Sequence, residues 1–241
     1  KLTDADIEWA DMIFLSAMIV QNVSLEDVVR RSRAFGKRIV VGGPYVSTSS
    51  ESLPDADHIF IGEAEETLPD FIRDLELGIP EKVYKADERP SLHSTPVPDF
   101  GLIDMSKYSA MNVQYSRGCP FNCEFCDIIE IYGRVPRTKT NHQMLAELDA
   151  INAAGWRGLV FIVDDNFIGN KKNVPLFMPD LIEWSRANAF PFSFITEASV
   201  NLAEDDALLQ QMEDAGFRRV FLGIETPVEE SLKEAQKGQN T

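Results

Sequence analysis

Short apolar runs alternate with amphipathic stretches in the first third of the chain. Three segments contain an apolar run that predicts a buried strand, namely 11–20, 38–44 and 58–68. A helix is expected over 65–77, and a weaker helical pattern lies near 48–54. Strands that alternate with helices are typical of parallel βα units, so this part of the chain predicts a doubly wound sheet.

A second series of βα units follows from residue 111 onward. The predicted strands lie in the segments 111–116, 158–167, 190–200 and 218–226. The predicted helices between them cover 141–155, 174–188 and 203–216. Carboxylates gather where these strands end, as expected of a (βα) barrel whose site lies at the carboxyl-terminal rim. Four βα units do not close a barrel, so further units are expected downstream.

The two series are separated by a segment that is rich in proline. Residues 85–110 contain three prolines and little periodicity, which predicts an interdomain linker. The expected organisation is an α/β chain with the C-terminal part of a Rossmann-like domain at 1–84 and the N-terminal part of a barrel at 111–241. Neither end resembles a domain border, and we expect truncation at both.

Composition narrows the functional classes. The chain has 241 residues, 44% of them hydrophobic, and a formal net charge of −16. This negative charge argues against a nucleic-acid binder, which needs clustered lysine and arginine. The longest apolar run is too short to span a bilayer, and no signal peptide precedes it. These features predict a cytoplasmic protein without a transmembrane segment.

All three cysteines lie within eight residues, in the segment CPFNCEFC at 119–126. Their spacing could place Cys119, Cys123 and Cys126 on one helical face, as a stripe of small core residues. A preceding glycine and an internal proline favour a loop instead. A structural zinc ion would need a fourth ligand, and the nearest histidine, His142, is predicted to begin a helix. An iron–sulfur cubane held by three cysteines would leave one iron free for a substrate or cofactor.

The order of strand, C-x3-C-x2-C loop and helix resembles the radical S-adenosylmethionine (SAM) superfamily, over about residues 111–241. The resemblance implies that the three cysteines ligate a [4Fe–4S] cluster whose open iron chelates SAM. An electron from the cluster would cleave the sulfonium bond and give a 5′-deoxyadenosyl radical that abstracts hydrogen. The protein would place the cofactors and exclude solvent. An external electron donor of the flavodoxin or ferredoxin type is also implied.

The same resemblance assigns cofactor-binding residues. The aromatic position before the third cysteine, here Phe125, would lie against SAM. The segment that ends the second barrel strand positions the amino group of SAM, and here it is VDDNF with Asp164, Asp165 and Asn166. The next two strands end near Glu197 and Glu225, whose carboxylates can accept hydrogen bonds. Each of these acids could also be a solvated strand-end or helix-capping residue. The basic loop that contains Arg134, Arg137 and Lys139 could approach a carboxylate or phosphate, or could be solvated.

The front half resembles the cobalamin-binding module of B12-dependent radical enzymes. Ser16-Ala17-Met18 matches the S-x-L motif of that module, with Met in place of Leu, and Gly42-Gly43 follow after 25 intervening residues. The glycines would let the backbone approach the nucleotide tail of the corrin. Gly62 and Glu63 lie in a third strand-end segment. The histidine of the lower-ligand motif would precede residue 1. An ordinary flavodoxin-like sheet is the alternative interpretation, because glycine pairs are weak motifs.

The cysteine loop together with FIVDDNFIGNKKN is similar to one subgroup of these enzymes, which includes hopanoid C-2 methylases. Membership implies cobalamin-dependent methyl transfer to an unactivated carbon of a small-molecule or lipid-like substrate. One alternative is a radical enzyme with another outcome, such as a cyclase or a methylthiotransferase, although the latter usually carries further cysteines. Another is a zinc- or cobalamin-binding module without enzymatic activity.

Overall fold

The computed structural model describes residues 2–49 and 55–240. The chain divides into two compact units, Lys1–Pro90 and Ser91–Thr241, and each contains its own parallel sheet. Both sheets confirm the predicted α/β fold class. Over the described residues, no helix combines the length and the apolar composition needed to cross a bilayer.

The first unit is a four-stranded parallel sheet with helices between its strands. Its strands are β1 (Met12–Ser16), β2 (Arg38–Gly42), β3 (His58–Ile61) and β4 (Val83–Lys85), and their spatial order is the same as their chain order. Its helices are α1 (Asp4–Trp9), α2 (Asn22–Ala34), α3 (Pro44–Thr48) and α4 (Thr67–Leu77).

Helices cover both faces of this sheet. Successive residues of a strand point to opposite faces, so apolar side chains of one strand pack against helices on both sides. On β2, Ile39 and Val41 pack in a cluster with residues of α2 and α3. Val40, between them, points the other way and packs with Phe71 of α4. The unit is therefore doubly wound, and its carboxyl strand ends lie along one edge.

Two sequence-based expectations differ from the structure of this unit. The apolar run at 11–20 was expected to be one buried strand, but β1 ends at Ser16 and a 3₁₀ turn follows at Ile19–Gln21. The side chains of Ile19 and Val20 are exposed, so hydrophobicity alone does not mark the end of the strand. The weak helical pattern near 48–54 corresponds to a helix that ends at Thr48, and residues 50–54 lie outside the described residues.

The second unit is a parallel sheet with the spatial order β10-β9-β8-β5 and a short antiparallel ribbon, β6-β7. Its strands are β5 (Met111–Val113), β6 (Ser116–Arg117), β7 (Arg137–Thr138), β8 (Gly158–Ile162), β9 (Phe192–Ala198) and β10 (Phe217–Leu222). Its helices are α5 (Ile128–Tyr132), α6 (Asn141–Ala153), α7 (Val174–Ala187), α8 (Asp206–Ala215) and α9 (Glu229–Glu234). The arrangement is that of part of a (βα) barrel.

The helix-covered face of this second sheet forms the larger core of the chain. Alternate residues of β9, such as Phe192 and Phe194, are buried with side chains of α7 and α8. The intervening residues, including Ile195 and Glu197, face the other side and are half-buried. Glu197 pairs in register with the exposed Phe221 of β10. This second face, opposite the one that packs on α7 and α8, extends to the carboxyl ends of the strands, where the predicted site residues lie.

The predicted linker at 85–110 contains the division between the units. Its first residue, Lys85, belongs to β4, and the residues from Ser91 onward fold onto the second unit. Leu92 is buried, and the Gln143 side chain of α6 donates hydrogen bonds to the backbone carbonyls of Leu92, His93 and Thr95. Most of this proline-rich segment therefore packs as part of the second unit.

Candidate functional site

A short antiparallel ribbon closes the base of the loop that carries the cysteines. Strand β6 precedes the cysteines and β7 follows them, and the two strands pair with Ser116 opposite Thr138. At the start of the loop, Gly118 adopts φ +101°. A Cβ atom there would lie 2.8 Å from the carbonyl oxygen of Gly133. Both the backbone conformation and the close approach therefore require glycine at this position.

Asp164 braces the segment that leads into this loop. Its carboxylate accepts hydrogen bonds from the backbone N–H groups of Tyr115, at 2.7 Å, and Ser116, at 2.8 Å. It also accepts one from the Ser116 hydroxyl at 2.6 Å. Burial raises the pKa of Asp164 to about 7, although these three hydrogen bonds oppose the rise. Asp164 has no exposed surface with which to contact a cofactor, so the structure gives it a supporting role.

The three cysteines are free, half-buried thiols on an irregular loop. The interpretation as a helical core stripe is therefore wrong, because the loop does not form a helix over these residues. Burial raises the pKa of Cys119, and the charges of Cys126 and Cys123 add to the rise. Burial also raises the pKa of Cys126, and the charges of Cys123, Asp127 and Asp165 add to that rise. Three cysteines on one loop are a suitable donor set for an iron–sulfur cluster, which binds them as thiolates.

Among residues 2–49 and 55–240, no group of three histidine, cysteine, aspartate or glutamate side chains is arranged to hold a metal ion. His142, the histidine nearest to the cysteines in the sequence, is exposed on α6. Another histidine, His58, lies in the first unit with its Nδ1 2.5 Å from the Glu81 carbonyl oxygen.

Carboxylates face one another beside the loop. Asp165 is half-buried, and its buried Oδ2 atom has no hydrogen-bond partner in the part of the chain that the structure describes. Burial raises the pKa of Asp165 to about 6, and the charges of Glu197 and Asp127 add to the rise. Burial likewise raises the pKa of Glu197. An unpartnered buried carboxylate oxygen is costly, and it suits a cationic ligand.

Asn166 links the ends of two strands to a cysteine. Its buried side chain exchanges hydrogen bonds with Ser199, which follows β9, at 3.2 Å in both directions. It also forms a hydrogen bond with Cys119 that opposes the rise in the pKa of that thiol. The three polar residues of the VDDNF segment therefore differ in what they contact. Asp164 holds the segment before the loop, Asp165 has an unpartnered oxygen, and Asn166 connects Cys119 to Ser199.

The fourth strand end differs from expectation. Glu225 follows β10 in the left-handed region, with φ +61°, and its carboxylate pairs with the ammonium group of Lys237. The same ammonium group lies 5.5 Å from the ring centroid of Phe125, whose side chain is 62% exposed. The charge of Glu225 is therefore neutralised by Lys237, a residue of the polar C-terminal stretch that no local pattern predicts at this position.

The three basic residues at the end of the loop already have hydrogen-bond or ion-pair partners within the second unit. The Arg134 guanidinium donates to the Pro120 carbonyl oxygen at 3.2 Å, and that of Arg137 donates to the Tyr132 carbonyl oxygen at 3.1 Å. Lys139 is buried and forms an ion pair with Glu147 of α6, which is also buried. The expectation that Lys139 could approach a ligand is wrong, because its charge is already compensated inside the fold.

A second candidate site lies at the carboxyl strand ends of the first unit. A cavity of about 320 Å³ opens there. Its lining includes the predicted residues Ser16, Gly42, Gly43 and Gly62, together with Phe14, Phe60 and other apolar side chains. Met18 is 54% exposed and is absent from the lining, and Glu63 is buried. The structure therefore brings together four of the six residues that were predicted for this site.

Glycine is required at the bend of this cavity. Gly43 has φ +90°, and a Cβ atom there would lie 2.4 Å from the Ser16 hydroxyl oxygen and 3.1 Å from the Ala17 amide nitrogen. A Cβ atom on Gly42 would lie 3.4 Å from the Phe60 side chain. Gly62 also has a positive φ, and its amide donates to the Ser47 hydroxyl at 2.9 Å. The floor is therefore backbone, which a large ligand can approach closely.

Comparisons with known proteins identify the family of the chain. The family model of the Radical SAM superfamily matches residues 113–241. An uncharacterised methyltransferase of Synechocystis sp. is 46% identical over 243 residues, which cover 100% of this chain and 45% of the relative. The hopanoid C-2 methylase of Rhodopseudomonas palustris is 38% identical over 242 residues, which cover 99% and 46%. The chain thus spans about half the length of these relatives.

Two solved structures share the fold. The radical S-adenosylmethionine methyltransferase TsrM from Kitasatospora setae, with tryptophan and a SAM analogue bound, gives a TM-score of 0.74 at 13% identity, over 92% of this chain and 50% of TsrM. The cobalamin-dependent S-adenosylmethionine radical enzyme OxsB gives 0.72 at 20% identity, over 99% and 40%. At these identities the likeness shows the fold alone, and it extends over both units.

Proposed function

Because this chain belongs to the radical SAM superfamily, we propose that it forms part of a cobalamin-dependent enzyme that transfers a methyl group to an unactivated carbon. The observation that carries this proposal is the set of three free thiols on a braced loop, beside the unpartnered carboxylate of Asp165. The supporting relatives are methyltransferases by name.

In this proposal, Cys119, Cys123 and Cys126 hold a [4Fe–4S] cluster. When bound, the cluster supplies the electron that cleaves SAM. The contribution of the chain is to fix the loop: Gly118 permits its narrow base, and Asp164 holds the segment before it. The partial burial of the thiols limits access of water, which lowers the local dielectric and strengthens electrostatic interactions.

SAM carries an ammonium group, and the geometry offers an acceptor for it. Asp165 is only half-buried beside the loop, and its pKa of about 6 leaves it mostly ionised at neutral pH. A bound cation would stabilise that ionised form further. Glu197 lies close enough to raise the pKa of Asp165 and offers a second acceptor, for the same group or for a ribose hydroxyl. Phe125 presents an exposed ring for contact with the cofactor.

Cobalamin is assigned to the cavity of the first unit. Its apolar lining and its backbone floor at Gly42 and Gly43 suit a large, flat ligand with an extended tail. Ser16 adds a hydroxyl group at the edge of the cavity. Met18, which the S-x-L motif would place in the site, remains assigned only by that motif. The substrate is proposed to be a small or lipid-like molecule, and the electron donor a flavodoxin or ferredoxin.

Anaerobic reconstitution tests the cluster. We expect the purified chain to bind about four irons and, after reduction, to cleave SAM to 5′-deoxyadenosine. A chain that takes up one zinc ion and leaves SAM intact would instead be a non-enzymatic binding module. Because the chain covers only half of its relatives, the full-length protein is the reference for turnover, and its product distinguishes methylation from cyclisation or methylthiolation.

A corrin-retention assay tests the second site. We expect hydroxocobalamin to remain with the chain through desalting, with a shifted corrin spectrum. Gly42→Val should abolish retention, because its side chain would enter the cavity beside Phe60. The matched control is Val83→Ala, a substitution in the same sheet outside the lining. Equal retention by the Gly42→Val variant would remove the support for this assignment.

A further inference from the structure

The segment after α9 packs on the cysteine loop. We define residues 235–240 as the clasp. The Glu124 amide donates to the Ala235 carbonyl oxygen at 3.0 Å, and the Asn122 side chain donates to the Gln236 side-chain oxygen at 2.7 Å. The Gln239 side-chain amide lies 3.4 Å from the Cys123 sulfur and donates to it. These contacts reach the loop between its first and third cysteines.

The clasp is anchored at its other side to the end of β10. The Asn240 side chain donates to the carbonyl oxygens of Gly223 and Ile224, each at 2.9 Å. Lys237 is buried, pairs with Glu225 and lies over the Phe125 ring. A Cβ atom on Gly223 would lie 2.7 Å from the Lys237 ammonium nitrogen, so this side chain lies directly against the strand end. The clasp therefore joins the fourth strand end to the cysteine loop.

The end of α9 sets the direction in which the clasp leaves the helix. Gln236 adopts φ +54°, a left-handed conformation that is uncommon for a residue other than glycine, asparagine or aspartate. Its amide still donates to the Lys233 carbonyl oxygen, which closes the end of α9. The bend turns the chain back so that Lys237 and Gln239 both point to the loop. The Lys237 amide also donates to the Leu232 carbonyl oxygen at 2.8 Å, so the left-handed residue belongs to the hydrogen-bonded motif that ends α9.

We propose that the clasp positions the middle of the cysteine loop, and that Gln239 is a positioning residue that donates a hydrogen bond to the Cys123 sulfur in the cluster-loaded protein. This inference rests on the proposed [4Fe–4S] cluster. A donor to a ligating sulfur stabilises negative charge on it, and that charge increases when the cluster is reduced. The amide of Gln239 therefore favours the reduced cluster, while the backbone contact at Glu124 limits movement of the loop.

The test uses Gln239→Leu, which keeps a similar volume and removes the donor. The matched control is Gln210→Leu on α8, where the side chain donates only to the exposed Asp214. In the metal-free chain, hydrogen exchange at the Glu124 amide reports on the contact with Ala235. We expect exchange to be about fivefold faster in the Gln239→Leu variant and unchanged in the control, because one hydrogen bond is lost from the clasp.

The second measurement is the midpoint potential of the reconstituted cluster, from an anaerobic redox titration followed by electron paramagnetic resonance. We expect Gln239→Leu to shift the midpoint to a more negative potential and Gln210→Leu to leave it unchanged. Asn122→Ala, which breaks a different contact, should accelerate exchange at residues 236–240. Unchanged exchange and unchanged potential in Gln239→Leu would overturn the proposal. Failure of the wild-type chain to bind iron would instead count against the proposed function, and exchange in the metal-free chain would still test the clasp.

Discussion

The two candidate sites at strand ends differ in the chemistry of the residues that line them. In the first unit, the cavity floor consists of glycine backbone, and most of its walls are apolar. In the second unit, the candidate site contains thiols and carboxylates, and the buried Asp164 carboxylate holds the segment before the loop through hydrogen bonds. A site of the first kind selects a ligand by shape, whereas one of the second kind acts on charge. Substitutions should therefore act sterically in one unit and electrostatically in the other.

Loss of a cysteine should have the largest effect and should be confined to the second unit. Cys123→Ala leaves two thiols, too few to hold the proposed cluster, and we expect iron content to fall from about four per chain to below about one. Corrin retention should be unchanged. Iron quantification and the corrin spectrum of the same sample measure both. Simultaneous loss of the corrin would contradict the independence of the two sites.

Removal of a buried charge should destabilise the second unit strongly. Lys139→Met leaves Glu147 buried and unpaired, at an expected cost of about 3–5 kcal/mol. The comparable pair in the first unit, Arg33 with Asp57, is about one-third exposed, so Arg33→Met should cost about 1 kcal/mol or less. Hydrogen exchange of the slowest amides of each unit gives both values.

Adding Glu147→Leu to Lys139→Met should recover most of the lost stability, because no charge then remains buried. The Lys139→Met variant alone should also bind protons more readily at Glu147, whose pKa burial already raises despite the lysine. Equal losses for Lys139→Met and Arg33→Met would remove the electrostatic contrast between the units.

A single methyl group should disturb the first site. Gly43→Ala places a Cβ atom 2.4 Å from the Ser16 hydroxyl oxygen on a backbone with φ +90°, and we expect corrin affinity to fall by about tenfold. Gly78→Ala is the control, since Gly78 also has a positive φ but no atom lies near its Cβ position. Adding Ser16→Gly should recover part of the affinity. Spectroscopic titration with hydroxocobalamin measures each variant.

The smallest expected effect is the change in the stability of the second unit with pH that results from the titration of Asp164. Its pKa is raised to about 7 in the folded chain, so its contribution to stability is present below the unfolded value near 3.8 and is lost as the pH rises through about 7. From pH 6 to pH 8, the free energy of unfolding of the second unit should fall by about 1 kcal/mol relative to Asp164→Asn. Hydrogen exchange in β8, compared between the two proteins at each pH, measures this difference. No change in this difference between pH 6 and pH 8 would show that the three hydrogen bonds outweigh burial, because a carboxyl group with a lowered pKa is already ionised in both states over this range.

The sequence was most informative where local spacing carries the chemistry. The cysteine triad and the glycine pair were both recognisable because each lies within a few adjacent residues. The alternation of apolar runs also predicted both parallel sheets, since strand periodicity is local. Carboxylates at successive strand ends predicted the position of the second site, and Asp165 lies there with an unpartnered oxygen.

The parts that sequence could not predict depend on pairs that are distant along the chain. Gln239 reaches Cys123 across 116 positions, and Asn122 reaches Gln236 across 114. Polar residues in a C-terminal stretch look solvated unless their partners are known. The same difficulty applies to Asp164, because only the fold shows that its carboxylate points to Tyr115 and Ser116 and not to a ligand.

Gly118 carries a consequence for how this protein can vary. The carbonyl oxygens of Gly133, Val135 and Tyr132 surround the position where a side chain would begin, at 2.8, 3.1 and 3.3 Å. All three are main-chain atoms, so no compensating replacement of a neighbouring side chain can make room. A saturation library at this codon, selected for iron uptake, should therefore return glycine alone, even when every other loop position is randomised with it.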